Sequence, residues 1–273
     1  MRIRLTVAYD GTDFSGWAAQ LGQRTVQGTL KEAVRLISGE EIEIYGASRT
    51  DSGAHARGQV CHFDTETKIP VEKWPNILNR VLPPDLCVRD AKRTSPDFHS
   101  RFCAVDRTYR YRIGVAPRDA HRARFVHFYG RPLHLERMRE AASALVGQLD
   151  FRAFTEELDP HVVNTTRTIF RFDVNQTRDE VWVDVVGTAF LRGMMRRMAG
   201  AILEVGRGKR PVEEVSKLLN PQERNSIQWP VVLPARGLCL MRIRYGRHPV
   251  DSRQNQDFYS GLPGGNHESN LYE

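Results

Sequence analysis

Hydrophobic and polar positions along the first half of the chain follow two periods in a regular order. Residues 2–9 alternate apolar with polar side chains, which is the pattern of a strand that buries one face. Apolar residues at 26–37 recur at helical spacing, and Gly39 is placed to end that helix. Alternating runs at 41–45 and 58–63, a helical run near 71–82 and a strand that opens at Leu86 complete the order. The first half is therefore predicted to fold as β-α-β-β-α-β.

The second half repeats this order of elements without a convincing sequence repeat. Strand patterns lie at 109–115, 167–175, 180–187 and 238–245, and helical patterns lie near 138–146, 190–205 and 212–219. Two ferredoxin-like or RRM-like halves, residues 1–100 and 101–247, are predicted to join edge to edge. The fold class is then α+β, with one large, mainly antiparallel sheet, helices on one face and a cleft between the halves. Residues 248–273 are polar and Gly-rich, which predicts a disordered tail.

The charge of the chain indicates a class of binding partner. The net charge is +7, and 34 of the 40 basic residues are arginine. Guanidinium groups bind phosphate through two hydrogen bonds and stack on bases, so this surplus suits a nucleic-acid partner. A GC-rich genome would favour arginine codons as well, and composition alone leaves both explanations open.

The cysteines point away from metal binding and from disulfides. Cys61, Cys87, Cys103 and Cys239 show neither C-x-x-C spacing nor zinc-ligand spacing with histidines. They are typical of reduced residues in a cytoplasmic protein. Apolar runs also stay well short of the roughly 18 residues that a membrane span needs. We therefore expect a cytoplasmic protein without a metal site.

Arginines are concentrated in two predicted elements, a strand and a helix. In one strand, Arg110 and Arg112 alternate with Tyr109 and Tyr111, so one sheet face is basic and the other aromatic. Such a strand could follow a phosphate backbone while its rings stack bases, or it could be a solvated face over buried tyrosines. The basic residues between 101 and 131 are Arg101, Arg107, Arg110, Arg112, Arg118, Arg122, Arg124 and Arg131.

The predicted helix at 190–205 holds the second group of arginines. Arg192 and Arg196 are four residues apart and are predicted to share one helix face. A basic face of this kind could bind RNA, bind a membrane surface or only be solvated.

A charged loop joins the strand patterns at 41–45 and 58–63. It places Arg49 two residues before Asp51. An aspartate beside a guanidinium can act as a nucleophile in a cleft. Asp-Ser-Gly is also an ordinary turn sequence, and spacing alone favours this simpler interpretation.

Four segments in order give the chain a family resemblance. They are Tyr9–Trp17, Arg49–Ala56, Phe98–Phe102 through Tyr109–Tyr111, and Ala189–Arg196 through Glu204–Gly206. Together they resemble the TruA-type tRNA pseudouridine synthases, from residue 1 to about 246. Ser48, Ala54 and Cys103 depart from the residues common in that family, each by one small side chain for another.

The resemblance implies an activity and roles for individual residues. It implies isomerisation of uridine to pseudouridine at positions 38, 39 and 40 of the tRNA anticodon stem-loop. It also implies base flipping into a basic cleft, no cofactor, and a homodimer. Asp51 would be the catalytic aspartate, Tyr109 would stack on the target base, Arg49 would help to displace that base, and Arg196 would pair with the aspartate.

Two other classes of protein remain as alternatives. A non-catalytic RNA-binding protein with two RRM-like units would need the aromatic and basic strand but not Asp51. Nothing in the chain resembles the RNP1 signature of such domains, which counts against this alternative. A basic protein of the membrane surface would bind anionic lipid instead of tRNA.

Overall fold

A computed structural model describes residues 1–155 and 164–246. The tail predicted for residues 248–273 lies outside the described residues. The first half consists of the following elements in chain order: β1 (Arg2–Tyr9), α1 (Val26–Ser38), β2 (Tyr45–Gly46), β3 (His55–Asp64), α2 (Trp74–Val81) and β4 (Leu86–Thr94). Its strands lie side by side in the order β4-β1-β3-β2, and neighbouring strands are antiparallel. The predicted β-α-β-β-α-β order is confirmed for this half.

The ends of α1 follow from local sequence. The Thr25 side chain accepts a hydrogen bond from the Gly28 N–H, which satisfies one of the free donors of the first turn. At the other end Gly39 takes a left-handed conformation, φ 72°, and donates to the Arg35 carbonyl. This is the stop that the sequence predicts at Gly39.

The strand predicted at 41–45 is wrong over most of its length. Main-chain pairing is limited to Tyr45 with His62 and Gly46 with Cys61. Ile42 and Ile44 are nevertheless buried. The alternation therefore reports side chains that enter the core, and an extended segment can bury them without joining a sheet.

The second half has the same strand order with additions at its edge. Its elements are β5 (Ala104–Gly114), β6 (His127–Phe128), α3 (Leu135–Ser143), β7 (Gly147–Asp150), β8 (Thr166–Gln176), β9 (Glu180–Gly187), α4 (Met194–Gly206), α5 (Glu213–Leu219) and β10 (Leu238–Tyr245). The strands lie in the order β10-β5-β9-β8, with β7 beyond β8 and β6 beside β5. The sequence did not predict β6 or β7.

One strand joins the halves into a single sheet. β10 is antiparallel to β5 and parallel to β3, where it pairs Cys239 with His55 and Leu240 with Ala56. The described residues thus form a ten-stranded sheet, and all its pairs are antiparallel except β10 with β3 and β5 with β6. The predicted α+β fold with one large, mainly antiparallel sheet is confirmed.

The helices pack on one face of this sheet. Residues directly opposite on paired strands share a face, and the chain of partners Tyr9, Ala56, Leu240, Tyr109 and Val185 crosses five strands with every side chain buried. On the same face the Trp74 ring of α2 lies 5.3 Å from that of Phe63, and α3 and α4 cover β8 and β5.

The predicted start of α4 is wrong. The helix begins at Met194 instead of 190, and Gly193 precedes it with φ 70°. This left-handed residue turns the chain before the helix starts. Arg192 therefore lies outside α4, and Arg192 and Arg196 do not share a helix face.

The segment 98–103 fills the space where β3 and β10 part. The Ser100 side chain donates to the Tyr45 carbonyl, and the Tyr245 hydroxyl donates to the Ser100 carbonyl. The Ser100 N–H donates to Nδ1 of His62, which leaves that nitrogen unprotonated. Burial is the main reason that the pKa of His62 is lowered to about 4, and repulsion between a protonated His62 and His99 or Arg2 acts in the same direction.

This buried histidine makes stability depend on pH. The unfolded chain takes up a proton at His62 near pH 6.5, whereas the folded chain does so only near 4. We therefore expect the free energy of unfolding to fall as pH drops through this window, by up to about 3 kcal/mol from His62. Urea unfolding at pH 7, 6 and 5 should show a steeper loss for the wild type than for His62→Gln. Equal pH slopes would contradict this assignment.

Candidate active site

Asp51 lies on the loop between β2 and β3, and main-chain hydrogen bonds from a neighbouring segment hold that loop. Trp17 N–H donates to the Thr50 carbonyl at 3.1 Å, and Gly53 N–H donates to the Phe14 carbonyl at 3.2 Å. Ala54 N–H closes a turn on the Asp51 carbonyl at 3.1 Å. The loop is thus built as a rigid support for one carboxylate.

Two glycines allow the supporting segment to come this close. A Cβ at Gly11 would lie 1.8 Å from the Ala54 carbonyl oxygen. At Gly16, where φ is +86°, it would lie 2.7 Å from the Thr50 carbonyl oxygen. Both distances are too short for any side chain. The backbone of the segment Tyr9–Trp17 therefore packs directly against the backbone of the Asp51 loop.

The structure brings Arg196 to Asp51 from the other half of the molecule. Nη1 of Arg196 lies 3.3 Å from Oδ2 of Asp51, and both side chains are about one quarter exposed, at 24% and 26%. Nε of the same guanidinium donates to the Leu233 carbonyl at 2.6 Å. This second bond fixes the orientation of the Arg196 guanidinium relative to the Asp51 carboxylate.

Tyr109 lies beside this pair, deep in the sheet. Its ring is only 4% exposed and meets Phe190 edge-on, with ring centres 4.9 Å apart. Its hydroxyl lies 2.8 Å from Oγ of Ser48. Burial raises the pKa of Tyr109 to about 12, so the phenol is neutral at pH 7. Ser48, which departs from the family pattern, thus ties the loop to Tyr109.

Arg49 is exposed on the same loop. Within residues 1–155 and 164–246 its guanidinium has no carboxylate partner. It is therefore placed at the surface beside Asp51, where it can meet a charged ligand.

Arg110 and Arg112 lie on the opposite face of the sheet from Tyr109, and both are paired. Arg110 binds Asp184 through two nitrogens and lies 3.9 Å from the Trp182 ring centre. Arg112 binds Glu180 in the same bidentate way. Although burial opposes its ionisation, hydrogen bonds from Arg112, Trp182 and Arg122 lower the pKa of Glu180 to about 2. Contact of either arginine with phosphate stays a prediction.

Two buried residues near Asp51 hold separate segments of the chain together. Nδ1 of His55 accepts from the Gly11 N–H, and its Nε2 lies 2.9 Å from the Arg124 carbonyl, so the ring joins separate loops. Arg107 seemed to belong to a basic surface strip, yet it is only 7% exposed. Its Nη2 donates to the carbonyls of Ala47 and Arg101. Only the packed structure reveals such long-range acceptors.

The described part of the chain offers no group of three His, Cys, Asp or Glu side chains arranged to hold a metal ion. Among its helices, none is long and apolar enough to cross a membrane.

Comparison with known proteins identifies a family of similar sequences. A sequence model of the tRNA pseudouridine synthase family matches residues 5–103 and 141–246. The tRNA pseudouridine synthase A of Brevibacillus brevis is 40% identical over 245 residues, covering 89% of this chain and 99% of that protein. The protein of the same name from Maridesulfovibrio salexigens is 39% identical, and the match covers 96% of this chain and 98% of that protein. The one from Bacillus subtilis is 37% identical, and the match covers 90% of this chain and 99% of that protein. The chain therefore belongs to the tRNA pseudouridine synthase family.

Proposed function

We propose that this protein isomerises uridine to pseudouridine in tRNA, at positions 38, 39 and 40 of the anticodon stem-loop, with Asp51 as the nucleophile. The Asp51–Arg196 pair, held on a rigid loop in a member of this family, is the observation that carries the proposal. A protein that only bound RNA through two RRM-like units would have no use for this pair.

The reaction gives the carboxylate a defined task. The bond between the sugar and N1 of uracil must break, and a bond from the sugar to C5 must form before the base escapes. C5 then loses its proton and N1 gains one, so the product is an isomer of the substrate. A carboxylate can attack the base ring or the sugar carbon, and in either case it must stand at a fixed angle to the nucleotide. The bonds from Arg196 to Asp51 and to Leu233 supply that orientation.

The target base must also leave its stack in the stem, which costs a few kcal/mol. Arg49 is exposed beside Asp51 and is proposed to take part in displacing the base. Tyr109 is proposed to contact the flipped base, and its 4% exposure offers a narrow contact. Phosphate contacts of Arg110, Arg112 and Arg192 belong to the same proposal.

The wider assignment follows the family resemblance. We propose a cytoplasmic enzyme that acts as a homodimer, with the anticodon stem-loop as its RNA partner. The proposed chemistry uses only the protein's own side chains.

Asp51→Asn keeps the shape of the side chain but removes the nucleophile. We expect turnover of an unmodified tRNA transcript to fall at least about a thousandfold, while tRNA affinity stays near that of the wild type. Chemical mapping of pseudouridine along the product tests both the activity and the position. The matched control is Asp90→Asn on the edge strand β4, where the carboxylate lies 3.7 Å from Lys92. Retained activity in Asp51→Asn would exclude Asp51 as the nucleophile, and product elsewhere in the tRNA would exclude positions 38 to 40.

Tyr109→Phe keeps the ring and removes the hydroxyl that meets Ser48. A neutral phenol with a pKa of about 12 is a poor base at pH 7, so we expect a single-turnover rate within about tenfold of the wild type. Tyr109→Leu, which removes the ring, should lose far more. A loss in Tyr109→Phe as large as in Asp51→Asn would instead assign proton transfer to the hydroxyl.

Arg196→Lys tests whether the guanidinium orients Asp51. One ammonium group cannot reproduce both bonds of the guanidinium fork, so we expect kcat to fall about 10- to 100-fold with little change in KM. The neighbouring Arg197→Lys, whose native side chain donates to the Pro230 carbonyl, is the control. An increase in KM at unchanged kcat would show that Arg196 binds RNA instead of orienting the carboxylate.

A further inference from the structure

A ladder of four aromatic rings joins β2, β3 and the segment 98–103 and reaches the surface at both ends. The Tyr45 ring stacks on His62 with centres 5.1 Å apart and planes 21° apart. His62 meets His99 at 4.8 Å, and His99 meets Phe102 at 4.3 Å. The two end rings are exposed, Tyr45 by 50% and Phe102 by 48%, whereas His62 between them is buried.

The ladder is held in place from beneath. The Ser100 N–H donates to Nδ1 of His62 and the Ser100 hydroxyl donates to the Tyr45 carbonyl, which fixes the first pair of rings. The main-chain N–H groups of Arg101 and Phe102 point at Nδ1 of His99, which shapes the turn that carries the second pair. The exposed rings are thus held in fixed positions, so stacking of a ligand on them would cost little conformational entropy.

The ladder adjoins the proposed catalytic loop. Nη2 of Arg107 donates to the carbonyls of both Ala47 and Arg101, so the strand end that bears Tyr45 and the turn that bears Phe102 meet at one nitrogen. Asp51 follows Ala47 by four residues. Because Tyr45 pairs with His62, seven residues along β3 from His55, the rings lie further along the strands than Asp51, and an RNA several nucleotides long can reach both.

The chemistry of this surface fits a nucleobase. Exposed Arg101 lies 5.7 Å from the Phe102 ring centre, which adds a guanidinium to the aromatic surface. Aromatic rings beside guanidinium groups bind unpaired bases by stacking and the adjacent phosphates by charge. A net charge of +7 favours such a polyanion.

We propose that Tyr45 and Phe102, with Arg101, form a stacking platform for an unpaired nucleobase of the RNA that binds at Asp51. The inference rests on the proposed function for the identity of the RNA and extends it by a second base site. The platform strengthens binding and positions the RNA without taking part in bond making.

Leucine substitutions separate stacking from simple apolar contact. Tyr45→Leu and Phe102→Leu keep an apolar side chain without a π face, whereas Tyr45→Phe and Phe102→Tyr keep the ring. We expect each leucine variant to raise the Kd for an unmodified tRNA transcript about 5- to 100-fold, with kcat at saturating RNA unchanged within about threefold. The ring-retaining variants should bind as the wild type does.

The control for loss of an exposed apolar side chain is Leu36→Ala on α1, where Leu36 is 66% exposed. Thermal melting checks that each variant is folded, and the two rings can be tested independently if one leucine variant unfolds. Binding of a perfectly paired RNA duplex should be insensitive to the leucine substitutions, since it offers no unpaired base.

The outcomes distinguish this inference from the proposed function. Folded leucine variants that bind tRNA as tightly as Leu36→Ala would overturn the platform, whether or not the wild type makes pseudouridine. An equal loss of affinity for the paired duplex would overturn it as well. Weaker tRNA binding in a protein that makes no pseudouridine would support the platform and contradict the proposed reaction.

Discussion

The pairing of β10 with both β3 and β5 is the constraint on which the rest of the structure depends. Its contact with β3 is only two residue pairs long, yet it makes two sheets into one. It also sets His55, the first residue of β3, beside Cys239. The segments that precede His55 and Cys239 contribute to the site. The Asp51 loop leads into β3, and Leu233 lies shortly before β10.

The site is assembled from both halves in this way. The first half contributes a loop whose backbone is packed against Gly11 and Gly16. The second half contributes Arg196, whose guanidinium joins Asp51 to the Leu233 carbonyl. Neither half contains both Asp51 and its guanidinium partner, so the carboxylate is oriented only when the two halves join in one continuous sheet. Beside it, buried Arg107 plays a comparable part by holding the Ala47 and Arg101 carbonyls together.

Much of the fold was readable from the sequence because periodicity reports which side chains are buried. Apart from β6 and β7, the order of strands and helices in both halves follows from local patterns that the structure reproduces, and so does the cap of α1 at Gly39. The failures are local as well. Alternation at 41–45 reflects burial without strand pairing, and Gly193 delays the start of α4. In the site, Asp51, Arg49, Tyr109 and Arg196 were named through resemblance to a family, since the spacing of Arg49 and Asp51 alone favoured a turn.

The sequence by itself determined the α+β class, the two similar halves and the family, because hydrophobic period and motif order are properties of the chain. Only the tertiary structure decided which charges meet. It paired Arg196 with Asp51, buried Arg107, and neutralised Arg110 and Arg112 against Asp184 and Glu180. An arginine looks the same in a sequence whether it faces water, a carbonyl or a carboxylate. Its partner is set by contacts between residues far apart in the chain, and these exist only after packing.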